Sequence, residues 1–145
     1  MPVDRPYIPA AIRRQVEIDA DQRCGYCLTP RIFTAKQLHL EHIIPLATGG
    51  NSDISNLWLA CDLCNSSKGA RTHATDPLSN QRVSLYHPRR QRWSEHFMWS
   101  EDGIYLIGLT PNGRATVSAL KLNQPYLVEA RTWWVKAGWH PPRDI

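Results

Sequence analysis

The chain has 145 residues, 42% of them hydrophobic and 21% charged, with a formal charge of +4. That length suits one ordinary domain with at most a small annex, and no apolar run approaches the roughly 20 residues that span a bilayer. The opening Met1-Pro2-Val3-Asp4-Arg5-Pro6 lacks the basic-then-apolar pattern of a secretory leader, so a reducing, cytoplasmic setting with no membrane partner is expected.

In chain order, residues 9–20 read as a short helix with Pro9 near its start and Ile12 and Val16 on one side. Cys24-Gly25-Tyr26-Cys27 is a tight turn. Gln37 to Ile44 reads as a strand stopped by Pro45. A glycine-bearing loop from Ala47 to Ser55 leads to a second strand, Leu57 to Ala60, and Asp62 to Arg71 reads as a short polar helix. Asp76 to Arg92 is polar, with one strand at most. Trp93–Trp99 and Ile104–Thr110, joined by a Glu101-Asp102-Gly103 turn, resemble a hairpin. Thr110 should cap a helix running to Leu122, and Asn123 a last helix from Gln124 to Ala137, closed by Gly138.

Charge is uneven along the chain. Residues 1–70 carry seven Lys/Arg and seven Asp/Glu, while residues 71–145 carry ten and six. Thirteen of the seventeen basic side chains are arginine, which matches phosphate oxygens bidentately. An excess of this size suits solvated surface as readily as nucleic acid. If it serves nucleic acid, Arg82, Arg89, Arg90, Arg92 and Lys68 are the candidate phosphate contacts.

Cys24 and Cys27 form one C-x2-C pair, Cys61 and Cys64 another, with 33 residues between them. Two residues between cysteines let both thiolates face one ion, and two such pairs complete a closed tetrahedral zinc site. The long separation means that something sizeable is inserted between the knuckles. That insertion holds Leu40-Glu41-His42-Ile43-Ile44-Pro45, Gly49-Gly50 and Asn56-Leu57; Asn65-Ser66-Ser67-Lys68 follows the second pair. Neighbours on a strand face opposite ways, so Glu41 can hold a metal while His42 reaches an attacking water. Histidine suits proton abstraction near neutral pH. Glu41 and Asn65 are hard oxygen donors suited to Mg²⁺ or Mn²⁺. His39 shares strand parity with Glu41, as an exposed strand residue or an extra metal or phosphate contact.

These ordered pieces, covering roughly residues 20–71, resemble the HNH endonuclease family, in the variant whose last motif residue is asparagine. The resemblance implies that His42 is the general base, Glu41 and Asn65 hold the catalytic metal, and Asn56 holds the loop that positions the base. It also implies 5′-phosphate and 3′-hydroxyl products. Glu41 departs from the aspartate or histidine usual at its position.

The expected architecture is α+β: a zinc-stapled ββα-metal core over residues 1–75, with a C-terminal hairpin and two helices over 76–145 packed as one unit with it. The expected function is metal-dependent hydrolysis of DNA phosphodiester bonds. The alternatives are a non-catalytic zinc-stabilised nucleic-acid-binding module and a ribonuclease using the same site. Cutting both strands would call for a dimer or two events.

Overall fold

The computed structural model describes residues 7–145. Met1–Pro6, read above for a leader pattern, lies outside the described residues. Helices and small two-stranded sheets mix throughout, in two compact units. The first comprises the chain up to Thr72 together with His87–Arg90; the second comprises His73–Tyr86 and Gln91–Ile145.

In the first unit, α1 (Ala10–Asp19) begins after Pro9 and buries Val16 completely, with β2 (Leu57–Ala60) packed against the helix. The chain then turns through Asp21 and Gln22, both at positive φ, into the first cysteine pair and a single helical turn, α2 (Arg31–Thr34). Strand β1 (His39–His42) pairs antiparallel with β2, setting Glu41 opposite Trp58 and His42 opposite Leu57. The expected strand from Gln37 to Ile44 is cut to four residues. Its far end stops because Ile44 N–H donates to the Asn56 side-chain Oδ1 at 2.8 Å instead of continuing the ladder. Helix α3 (Asp62–Lys68) starts at Cys61, whose Sγ accepts the Cys64 N–H, and stops short of Arg71 at Gly69, φ 55°.

In the second unit, β3 (His73–Thr75) and β4 (Arg82–Ser84) form a hairpin; β4 is the one strand expected between Asp76 and Arg92, and β3 precedes that stretch, where no strand was expected. The connecting turn is organised by Asp76, which accepts from Leu78 N–H and the Ser79 hydroxyl and takes both arms of the Arg114 guanidinium at 2.9 Å. Trp93–His96 forms a helical turn, α4, not a strand. Turning there stacks Trp93 on Phe97 and Trp99, with ring centres 5.2 and 5.7 Å apart. The hairpin is therefore shorter than expected: β5 (Phe97–Trp99) with β6 (Leu106–Gly108). Gly108 sits where a Cβ would lie 2.5 Å from Arg114 N, so β6 crosses α5 (Pro111–Ala119) at backbone contact.

Thr110 caps α5 as expected, its hydroxyl accepting Gly113 N–H at 3.1 Å. Asn123 does not cap the last helix, α6 (Pro125–Lys136), which starts after Gln124. Its amide instead brackets Leu106, accepting the N–H and donating to the carbonyl at 2.8 and 2.9 Å. Phe97, Leu106, Leu120 and Leu122 form the buried centre of this unit.

Candidate active site

The two cysteine pairs meet. Cys24 and Cys27 lie in a turn whose Gly25 N–H donates to Leu59 O, so the first knuckle hangs on β2. A Cβ at Gly25 would lie 2.2 Å from the Trp58 ring, so only glycine fits between knuckle and strand. Cys61 and Cys64 supply the second knuckle from the start of α3. The four Sγ atoms are all buried and lie within 4.8 Å of one another. No disulfide joins them. Burial pushes the Cys24 thiol up, and the neighbouring cysteines push Cys64 up while lowering Cys27. Four thiolates so confined need a cation, and a four-sulfur donor set is the chemistry that suits zinc.

Beside this cluster an open cleft of about 800 Å³ is bordered by Glu41, His42, Asn65, His39 and Arg13, among others. Alternation along β1 buries Glu41, which is 6% exposed, and leaves His42 half-buried; both still border the cleft. Asn65 reaches it from the first turns of α3.

Lys68 ties the site together. Its ammonium pairs with Glu41 Oε1 at 2.9 Å and donates to Ile43 O at 2.9 Å, so it fastens the residues on either side of His42. Burial raises the Glu41 pKa from its ordinary value, against the pull of Lys68. Glu41 Oε2 is buried without a hydrogen bond of ordinary geometry, although the Tyr26 hydroxyl faces the carboxylate. Glu41 and Asn65 both border the cleft, and their side-chain oxygens are hard donors of the kind that small divalent ions take.

The loop between the strands is pinned at both ends. Asn56 accepts Ile44 N–H and donates to Ile44 O and Asn51 O, at 2.8, 2.9 and 2.7 Å. Gly50 presses against the chain so closely that a Cβ would lie 1.8 Å from Ile44 O. Within this loop, Ser52 Oγ lies 3.0 Å from His42 Nε2. On the cleft rim, His39 and Lys36 both pair with Asp62, whose carboxyl they hold below its ordinary pKa, Lys36 more strongly.

Two residues expected at phosphate are used internally instead. Lys68 is 2% exposed, its charge spent on Glu41 and Ile43. Arg89 pairs with Asp19 at 2.8 Å, donates Nε to Leu57 O and lies over the Trp58 ring at 4.6 Å. Charge in a sequence does not say which way a side chain turns. Arg82, Arg90 and Arg92 are exposed; Arg90 lies in the first unit, Arg82 and Arg92 in the second. Sequence reasoning passed over Arg13, which arrives from α1 and donates to Leu38 O at 2.7 Å, 25 residues away. It also passed over Ser52, for which the only signal was its place between Gly50 and Asn56.

Residues 24–81 match the family model described as HNH endonuclease. The resemblance seen in the motifs thus holds over the stretch that contains both cysteine pairs, β1, β2 and α3, and it marks that stretch as similar to HNH endonucleases. No curated protein and no solved structure matches the chain. Among the described residues no helix is long and apolar enough to cross a membrane.

Proposed function

We propose that the first unit hydrolyses DNA phosphodiester bonds with the help of one divalent metal ion. The observation that carries this reading is the meeting of His42, Glu41 and Asn65 on one open cleft beside the cysteine cluster. His42 accepts a proton from water as the water oxygen attacks phosphorus. The bond from phosphorus to the 3′ oxygen breaks and that oxygen takes a proton from solvent, leaving a 5′-phosphate and a 3′-hydroxyl end. Glu41 and Asn65 would hold the ion, Mg²⁺ or Mn²⁺, which would supply positive charge against the negative charge that develops on the phosphate and the leaving oxygen. Zinc at Cys24, Cys27, Cys61 and Cys64 is structural. Asn56 fixes the loop beside His42, and Arg82, Arg90 and Arg92 contact the backbone of the nucleic acid.

The test is purified protein on supercoiled plasmid with Mg²⁺, Mn²⁺ or EDTA. Metal-dependent conversion to nicked circles supports the reading; no cleavage with any metal ends it. Linear product in proportion to nicks would show two sites acting together. One observation favours the rival reading of a non-catalytic binding module: Lys68 already occupies one oxygen of Glu41. That reading expects DNA retention without cutting. An RNA of the same sequence, run in parallel, separates deoxyribonuclease from ribonuclease.

A further inference from the structure

Every phosphate of a nucleic-acid strand carries a negative charge, so a cleft that takes such a strand needs fixed positive charge on its wall. Lys68 does not offer it, because its ammonium is buried on Glu41 and Ile43 O, and His39 is paired with Asp62. Among the described residues, Arg13 is the one lysine or arginine that borders the cleft. We propose that Arg13 is a substrate-binding residue: its guanidinium holds a phosphate of the strand lying in the cleft, a few nucleotides from the bond that is cut. This rests on the nuclease reading above.

Three observations carry it. The first is a brace. Helix α1 brings Arg13 to the start of β1, where Nη2 donates to Leu38 O at 2.7 Å. Nε lies 3.4 Å from Glu17 Oε1, one turn along the helix; that carboxylate is shared, since its Oε2 accepts from Gln22 Nε2 at 3.2 Å. The second is the set of donors left over. A guanidinium has five N–H groups in a fixed fork. Here Nε is buried without a hydrogen bond, and Nη1 has no partner among the described residues. A fork already held in place loses little freedom when it takes an anion. The third is the separation from His42. Leu38, which anchors the fork, stands four residues before His42. Extended chain rises about 3.3 Å per residue, so about 13 Å of chain lies between them. Phosphates of one strand follow about every 3.4 Å along a duplex, which makes the phosphate at Arg13 a neighbour of the reacting one and not the same. Such a contact is equal before and during the reaction, so it lowers KM and leaves kcat to the groups around His42.

The experiment compares the full chain with Arg13→Gln, Arg13→Lys and, for an equal loss of charge, Arg14→Gln, which is exposed on the same helix and does not border the cleft. Anisotropy of a labelled DNA duplex across a salt series, with no Mg²⁺ or Mn²⁺ added, reads binding. Plasmid cleavage gives kcat and KM, and thermal melts report folding. Arg13→Gln should lower the salt slope by about one. It should also raise KM about tenfold, the usual loss for a hydrogen bond to a charged group, with kcat near the parent's. Arg13→Lys should keep the slope, and Arg14→Gln should keep slope and KM. A lowered melting temperature with an unchanged slope in Arg13→Gln marks a purely structural bond to Leu38 O and overturns the proposal. An equal fall of slope in Arg14→Gln, or a loss confined to kcat, overturns it too. Should Arg13→Gln fail to fold, the Arg13 Nε–H resonance of the parent, followed by nitrogen-15 NMR as duplex is added, decides: a shift supports the contact and a stationary signal overturns it. A parent that cuts nothing with any metal, but binds duplex with a slope that falls in Arg13→Gln, ends the nuclease reading alone and supports the contact.

Discussion

His42 sits between two residues held by one buried ammonium, so its neighbours and its chemistry can be separated by substitution. If His42 is the base and not a ligand, His42→Ala should keep Mn²⁺ and DNA affinity and lose roughly 10² to 10⁴ in turnover. Glu41→Ala and Asn65→Ala should instead weaken Mn²⁺ binding, which titration calorimetry reads directly. A His42→Ala protein that cuts at the parent rate would contradict the assignment. Lys68 belongs to stability. Lys68→Met strands the Glu41 carboxylate, and breaking a buried pair in this way costs about 3–5 kcal/mol, measured by urea unfolding. Burial raises the Glu41 pKa in the folded state, so the folded form binds its proton more tightly than the unfolded chain. The deficit of Lys68→Met should therefore grow as pH rises through the carboxylate range and shrink in acid. Adding Glu41→Gln should recover part of it.

Elements obey a different economy, since each is too short to stand alone. β1 and β2 have four residues apiece, and the knuckles at the ends of β2 and α3 hold them. Zinc binding in such modules contributes on the order of 10 kcal/mol or more. Cys64→Ser, or stripping by chelator, should unfold the first unit, with one zinc per chain by metal analysis in the parent and a loss of its circular dichroism on removal. In the second unit the β3–β4 turn hangs on Asp76. Arg114, then Ser79 and Leu78 N–H, hold its carboxyl well below the ordinary range against burial. A depressed carboxylate stabilises the fold above its unfolded pKa of about 3.9 and loses that contribution as pH falls. Acid titration of stability should show this loss below about pH 4, with a shallower slope in Asp76→Asn.

Much of the first unit could be read in advance, because short-range chemistry fixes it. Cysteine spacing marked the knuckles, and Leu57 to Ala60 was bounded by Asn56 and Cys61. What escaped depends on partners far along the chain. Trp93 turns helical to reach Phe97 and Trp99, Asn123 leaves its cap to bind Leu106, and Lys68 turns inward to Glu41. Glu41, His42 and Asn65 were named from motif order, but the brace that Lys68 forms around His42 has no sequence signature.

Over the whole molecule, folding redistributes the charge. The linear excess lay after residue 70, yet Arg71, Arg89 and Arg90 separate from it: Arg89 and Arg90 join the first unit, and Arg71 follows α3. Counted by unit, the first holds ten Lys/Arg against seven Asp/Glu, the second seven against six. The larger formal excess thus falls in the unit that carries the cleft. Arg90→Gln should lower the salt slope of DNA binding by about one with little change in melting temperature. Arg89→Ala should do the reverse, because it removes the guanidinium from Asp19, Leu57 O and the Trp58 ring. Fluorescence anisotropy across a salt series, beside thermal melts, distinguishes the two.

The placement of Arg89 also bears on how this nuclease-like module could be transplanted. The family match ends at residue 81, and the first unit's own chain breaks at Thr72, but the unit is finished by four residues that come later, His87–Arg90. A fragment cut at Thr72 would keep every cysteine and every candidate catalytic side chain. It would also bare the Trp58 ring and leave Asp19 and the Leu57 carbonyl without their guanidinium, on the strand that carries the first knuckle. The module is therefore continuous in space and discontinuous in sequence, and moving it to another protein requires that the His87–Arg90 segment travel with it.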